Sequence, residues 1–178
     1  MRTKTLILAV AALPIIGTVA SSAPQTIRDK TITAAWSVEN TFERPNGSVA
    51  TAVVNQQRVI YVSSANRIFV KATFNSPGGG RSAEIAPGGR TPAGGARDAR
   101  IEGGKIVAMA ALQGGAAGRM IISFDQSYST CTVDVTIGRN GGGPLMRRGP
   151  GGAPIEIISQ RVSGQSCSVR EGNAFANQ

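Results

Sequence analysis

Beyond the first two dozen residues, no stretch of this chain repeats its apolar side chains every three or four positions. Where a pattern exists, its period is two. Apolar residues two apart fall on one face of a strand, so this pattern argues for sheets and against amphipathic helices. Ile32, Ala34, Trp36 and Val38 alternate with polar neighbours and carry the only tryptophan. Ile68, Val70, Ala72 and Phe74 make one face of another segment, with Lys71 and Thr73 on the other. From Ser129 to Ile137 the odd positions Cys131, Val133, Val135 and Ile137 are apolar and the even ones polar.

Turn chemistry divides these runs. Asn46-Gly47 is the strongest hairpin signal, because both residues accept positive φ. It predicts a strand from about residue 31 to Glu43 joined to one at 49–54. Ser63-Ser64-Ala65-Asn66 joins Val59–Val62 to Ile68–Phe74 as a four-residue turn. Lys105–Leu112, a Gly114-Gly115 turn, Met120–Phe124, Thr130–Ile137, Ile155–Val162 and Ser166–Arg170 follow. The reading is an all-β domain, an antiparallel sandwich or partly open barrel of about 8–10 short strands with long Gly-rich loops. Two segments interrupt it. Residues 75–104 contain Pro77-Gly78-Gly79-Gly80-Arg81 and its shortened echo Pro87-Gly88-Gly89-Arg90, and 138–154 is similarly rich in glycine and arginine. Both read as mobile loops with little apolar surface to bury, the first interrupted by a short strand at Ala83-Glu84-Ile85.

The N-terminus reads as an export signal. A basic start, Met1-Arg2-Thr3-Lys4-Thr5, precedes an apolar run from Leu6 to Ile16 and a small-residue exit, Val19-Ala20-Ser21-Ser22-Ala23. The run is about half the length that spans a bilayer. The expected organisation is a signal peptide over 1–23, a flexible leader over 24–30 and a single β domain over 31–178, in a periplasmic or secreted protein with no transmembrane segment after cleavage. Cleavage is expected between residues 20 and 24, since Pro24 is a poor neighbour for a scissile bond. Losing Arg2 and Lys4 takes the formal charge from +9 to about +7. About 155 residues remain, enough for one domain.

Cys131 and Cys167 are the only cysteines. In an oxidising compartment an even count predicts a disulfide, and both lie in phase with inward apolar residues: Cys131 with Val133, Cys167 with Val169.

The chain has no histidine, which excludes imidazole acid–base chemistry and His-based triads. No lysine stands three residues after a serine, and bridged cysteines leave no thiol nucleophile. Asp125, Asp134 and Glu156 are the acids in ordered segments, and nothing in their spacing brings two together for paired-carboxylate hydrolysis. Gly103-Gly104-Lys105-Ile106 lacks the first glycine and the hydroxyl of a phosphate-binding loop and enters a strand where that loop needs a helix. No cofactor, metal site or catalytic residue is expected.

The arginines carry the remaining signal. Arg81, Arg90, Arg97 and Arg100 lie in the first glycine-rich segment and Arg139, Arg147 and Arg148 in the second. Flexible cationic segments attract phosphate or carboxylate polymers, so these seven are the candidate anion-binding residues. The bland alternative is that they only solubilise a glycine-rich domain. Neither segment contains an aromatic residue for base stacking, which argues against specific nucleic-acid recognition.

Three runs carry a resemblance: Val59-Ile60-Tyr61-Val62-Ser63-Ser64-Ala65-Asn66-Arg67-Ile68-Phe69, Ile122-Ser123-Phe124-Asp125-Gln126-Ser127-Tyr128-Ser129-Thr130-Cys131-Thr132-Val133, and the ending from Val162 to Ala176 with its Ser166-Cys167-Ser168-Val169. Together they resemble a group of small exported proteins of unknown function from rhizobia-like bacteria. The resemblance implies export and a paired cysteine framework, and brings no activity, cofactor or site residue. The expected role is therefore non-catalytic, structural or binding, at the cell envelope, with the basic loops meeting anionic polymers or lipid headgroups. The alternatives are a small carboxylate-dependent envelope hydrolase, or a subunit or inhibitor docking on another exported protein.

Overall fold

The computed structural model describes residues 26–76, 79–85, 96–111, 116–139, 145–149 and 152–176. The signal-peptide reading, residues 24–25, the Gly114-Gly115 turn and Arg90 fall outside the described residues.

Among the described residues ten strands form two antiparallel sheets: β1 Lys30–Glu43, β2 Val49–Val62, β3 Ile68–Ser76, β4 Gly79–Ile85, β5 Ala96–Glu102, β6 Lys105–Ala111, β7 Ala116–Phe124, β8 Cys131–Arg139, β9 Leu145–Arg148 and β10 Pro154–Glu171. The larger sheet has the order β4-β3-β2-β1-β10-β9, the smaller β5-β6-β7-β8. They stack as an all-β sandwich, and no helix occurs among the described residues. The core is the inward period-two set of each sheet. Ile32, Ala34, Trp36 and Val38 of β1, Ile60 and Val62 of β2, and Val70 and Ala72 of β3 meet Ile106 and Ala108 of β6, Met120 and Ile122 of β7, and Val133 and Val135 of β8.

The Cys131–Cys167 disulfide joins β8 to β10, with Cα atoms 5.5 Å apart. It ties an edge of the small sheet to the large one. The bridge is compatible with an oxidising, exported location.

Several strands are longer than the sequence pattern suggests. β2 runs unbroken through the polar Asn55-Gln56-Gln57-Arg58. β10 merges 155–162 and 166–170 into 18 residues. The merger uses a bulge: Ala35 pairs with Ser166 and Ser37 with Ser163, so Trp36 stands opposite both Gly164 and Gln165. Gly164 has φ +63°, the left-handed conformation that such a bulge needs and that glycine adopts without penalty. The β1–β2 turn also differs from its expected form. Gly47 donates to Arg44 O, Arg44 donates to Ser48 O, and only Gly47 has positive φ. Pro45 therefore stands at the second position of a turn whose last residue supplies the left-handed step.

The described parts of the two glycine-rich segments carry more strand than the sequence pattern suggests, and the short strand expected at Ala83–Ile85 is the end of a longer one. β3 extends to Ser76, and β4 and β5 occupy much of 75–104. Within 138–154, β8 reaches Arg139 and β9 spans Leu145–Arg148. A strand needs backbone pairing, not apolar side chains. β4, β5 and β9 are all outermost strands, where charge and glycine discourage further pairing.

The leader is corrected as well. Ile27 is buried in the core, Asp29 donates from its backbone to Val62 O and accepts from Gly172 N, and β1 begins at Lys30. Lys30 pairs with Glu171, and the buried Thr31 hydroxyl donates to Gly172 O while accepting from Ala174 N. These contacts fasten both chain ends of the described domain.

Candidate functional site: a buried guanidinium between the sheets

The most unusual side chain is one that strand parity places inside. Arg58 shares its face of β2 with Ile60 and Val62 and is 3% exposed. Its directly opposed neighbours are Ala34 on β1 and Ala72 on β3. Two methyl groups leave room for the long side chain to lie across the sheet. One step diagonally away are Trp36 and Phe74, both paired with Gln56. The guanidinium carbon sits 5.1 Å from the Trp36 ring centre and 4.6 Å from that of Phe74. Each aromatic face attracts the cation, by about 2 kcal/mol where water is excluded.

The polar partners are few. Arg58 Nη1 donates to Gln57 O at 3.0 Å and Nη2 to Gln56 Oε1 at 3.3 Å. No carboxylate among the described residues forms an ion pair with it. Burial lowers its pKa to about 10, so the group stays cationic at neutral pH. Beside it, Trp36 Nε1 is buried and has no hydrogen-bond partner among the described residues. A buried charge without a counter-charge, next to an unsatisfied donor, is a costly arrangement unless something supplies the missing acceptor.

Space exists for such an acceptor. A cavity of about 30 Å³ lies between Arg58, Trp36 and Gln56 on one sheet and Met109, Met120 and Ile137 on the other. That is room for about two waters or one carboxylate-sized group. Arg119, exposed and paired across strands with Met109, adds a second cation to the lining. The methionines are unbranched and adaptable, which suits a wall that must move a little. A planar guanidinium with free N–H groups recognises a carboxylate or phosphate by paired charge-assisted hydrogen bonds.

Of the seven arginines singled out from the sequence, Arg90 lies outside the described residues and the other six lie on strands, none of them lining this cavity. Arg81 lies in β4, in register with Phe74. Arg97 and Arg100 lie in β5, opposite Met109 and Val107. Arg139 ends β8, and Arg147 and Arg148 lie in β9 opposite Ile155 and Pro154. β4 and β9 are the two edges of a six-stranded sheet, about 24 Å apart. Arg100 is half exposed and engaged with Glu102 at 2.7 Å. These six positions fall on strands at the margins of the two sheets.

The acids do not assemble either. Asp134 and Glu156 are exposed, on β8 and β10 of different sheets. Asp125 organises the β7–β8 turn, accepting from the hydroxyls of Ser127 and Ser129 and from the backbone N–H of Ser129 and Thr130. The Ser127 hydroxyl, followed by the Thr130 N–H, holds its carboxyl well below the usual range. Among the described residues, no three Cys, Asp or Glu side chains gather at metal-binding distance.

Sequence reasoning passed over Arg58 because Asn55–Arg58 reads as a polar gap between two apolar runs. The usable signal was parity: a cation two residues before Ile60, in phase with the inward set. Comparison with protein-family models, curated proteins and solved structures yields no match for this chain.

Proposed function

We propose that this chain is an exported, non-catalytic binding domain for an anionic component of the cell envelope, one anionic group of which docks against Arg58. The observation that carries the reading is the buried, aromatic-flanked guanidinium with no carboxylate partner among the described residues, facing a small cavity. An incoming carboxylate or phosphate supplies the missing counter-charge, and the net positive charge, formally about +7 once Arg2 and Lys4 leave with the signal, draws such ligands in. The disulfide between the sheets and the N-terminal signal pattern support the exported setting.

Trp36 is the only tryptophan and touches Arg58, so its emission reports the site directly. Titration with an oligogalacturonate and with phosphatidylglycerol vesicles separates acidic polysaccharide from lipid headgroup. At least one should change Trp36 emission saturably, and Arg58→Met should abolish that change. If neither anion alters the emission, or if Arg58→Met responds like the wild type, the reading fails.

A further inference from the structure

We propose that the opposite, outward face of the six-stranded sheet carries a second binding groove, for a neutral glycan. It lies on the odd-numbered positions of the strands whose even-numbered positions hold Arg58 and Trp36. The groove measures about 290 Å³; Ser37, Asn55, Gln57, Thr73 and Asn75 line it from outward positions, and Trp36 and Gln56, which also border the Arg58 cavity, complete its lining. Its hollow comes from small residues: Ala35 and Gly164 line it, Gly164 being the bulge residue opposite Trp36. A row of hydroxyls and amides thus borders a depression in an otherwise continuous sheet.

The chemistry of the lining selects the ligand. Hydroxyl and amide side chains each donate and accept hydrogen bonds, as the vicinal hydroxyls of a sugar do. Ser37 Oγ donates to Asn55 Oδ1 at 2.8 Å, which orients the amide and leaves its two N–H donors for a ligand. The side chains of Gln57, Thr73 and Asn75 have no partner among the described residues. No charged side chain among the described residues lines the groove, so an anion or cation gains nothing there. An extended peptide is disfavoured for another reason. β1, β2 and β3, which carry the groove's outward side chains, are hydrogen-bonded to neighbours on both sides at this level, so a peptide lying in the groove finds no unpaired backbone there. Four residues further along β2 and β3, about 13 Å away, Tyr61 and Phe69 pack together on the same outer face with ring centres 6.1 Å apart. An apolar platform at that distance suits the flat face of a second sugar, so the occupant is an oligosaccharide running along the strands.

The test is amide NMR of the oxidised chain titrated with three neutral linear probes: maltohexaose, cellohexaose and mannohexaose. At least one should give saturable shifts at Ser37, Asn55, Gln57, Thr73, Asn75 and Gly164. The shifts should be insensitive to salt, because no charge pairing is involved. Asn75→Ala and Thr73→Ala should each weaken binding about tenfold, the effect of one well-made hydrogen bond. If either variant loses native Trp36 emission, Gln57→Ala takes its place. Absence of shifts at these amides with all three probes, shifts confined to the Arg58 cavity, or wild-type affinity in the folded variants would each overturn the proposal.

Discussion

The two ends of the four-stranded sheet meet the six-stranded sheet on different terms. At one end Ile106 and Ile122 face Ile32 and Ile60, all four with no exposed surface, and the Cys131–Cys167 bridge fastens the adjacent flank. At the other end Ala108, Met120 and Val135 face Trp36 and a guanidinium. Both ends obey the same period-two rule and belong to the same strands. The difference is that alanines flank Arg58 where larger side chains flank Ile60. An inward position takes a cation when its cross-strand neighbours are small and its diagonal neighbours aromatic. The closed end gives the domain stability, and the cationic end gives up some of it for a polar site.

The largest expected effect tests whether the cationic end is core at all. Trp36→Ala should cost about 3–5 kcal/mol in denaturant unfolding, since it removes a buried ring and the shelf under Arg58. A loss below about 1 kcal/mol would show that the two ends do not share one core.

Next is the staple. With its cysteines 36 residues apart, the bridge contributes about 3.5–4 kcal/mol by the chain-entropy model, an upper figure. Cys131→Ser should lower the melting temperature markedly under oxidising conditions. An unchanged melting temperature would remove the covalent element from the contrast.

The sharpest comparison pairs one substitution from each end. Ile60→Ala should lose about 2–5 kcal/mol through its cavity. Arg58→Met, which fills the same space without charge, should leave stability unchanged or raise it by about 1–3 kcal/mol. The pH dependence follows from the sign of the shift. Burial depresses Arg58 to about 10, so the folded state is penalised while the group is charged. The gain from Arg58→Met should therefore hold at all pH values below about 10 and shrink above it. Thermal melts across that range check it, and a large loss for Arg58→Met would mean that the guanidinium is structural.

The smallest effect lies outside both ends, in the β7–β8 turn. Asp125 has a depressed carboxyl pKa, so its contribution is complete above the ordinary carboxylate range, about pH 4, and fades as pH falls below it. Asp125→Asn should loosen the turn at neutral pH and flatten this acid dependence. Amide exchange at Ser129 and Thr130 reads the change, and exchange equal to wild type would show that the carboxylate does not hold the turn.

What was legible and what was not divides along physical lines. The sheet class, the inward set of β1, β3 and β8 and the pairing of two cysteines follow from local alternation and count, which the chain carries residue by residue. The edge strands followed only in part. Ala83–Ile85 reads as a short strand, but its extension back to Gly79 and the strand Leu145–Arg148 have loop-like composition, and form because β3 and β10 offer them backbone partners. The continuity of β10 was hidden for the same reason, since Gly164 looks like a break until Trp36 stands opposite it.

The site shows the division most clearly. Strand parity alone puts position 58 in phase with Ile60 and turns the only tryptophan inward. That Ala34 and Ala72 make room for Arg58, that Trp36 and Phe74 lie against it, and that Met120 and Ile137 close over the cavity follow from packing between strands and sheets. Alternation is a property of one strand, whereas the space around a side chain is set by register across three strands and by the sheet stacked above them.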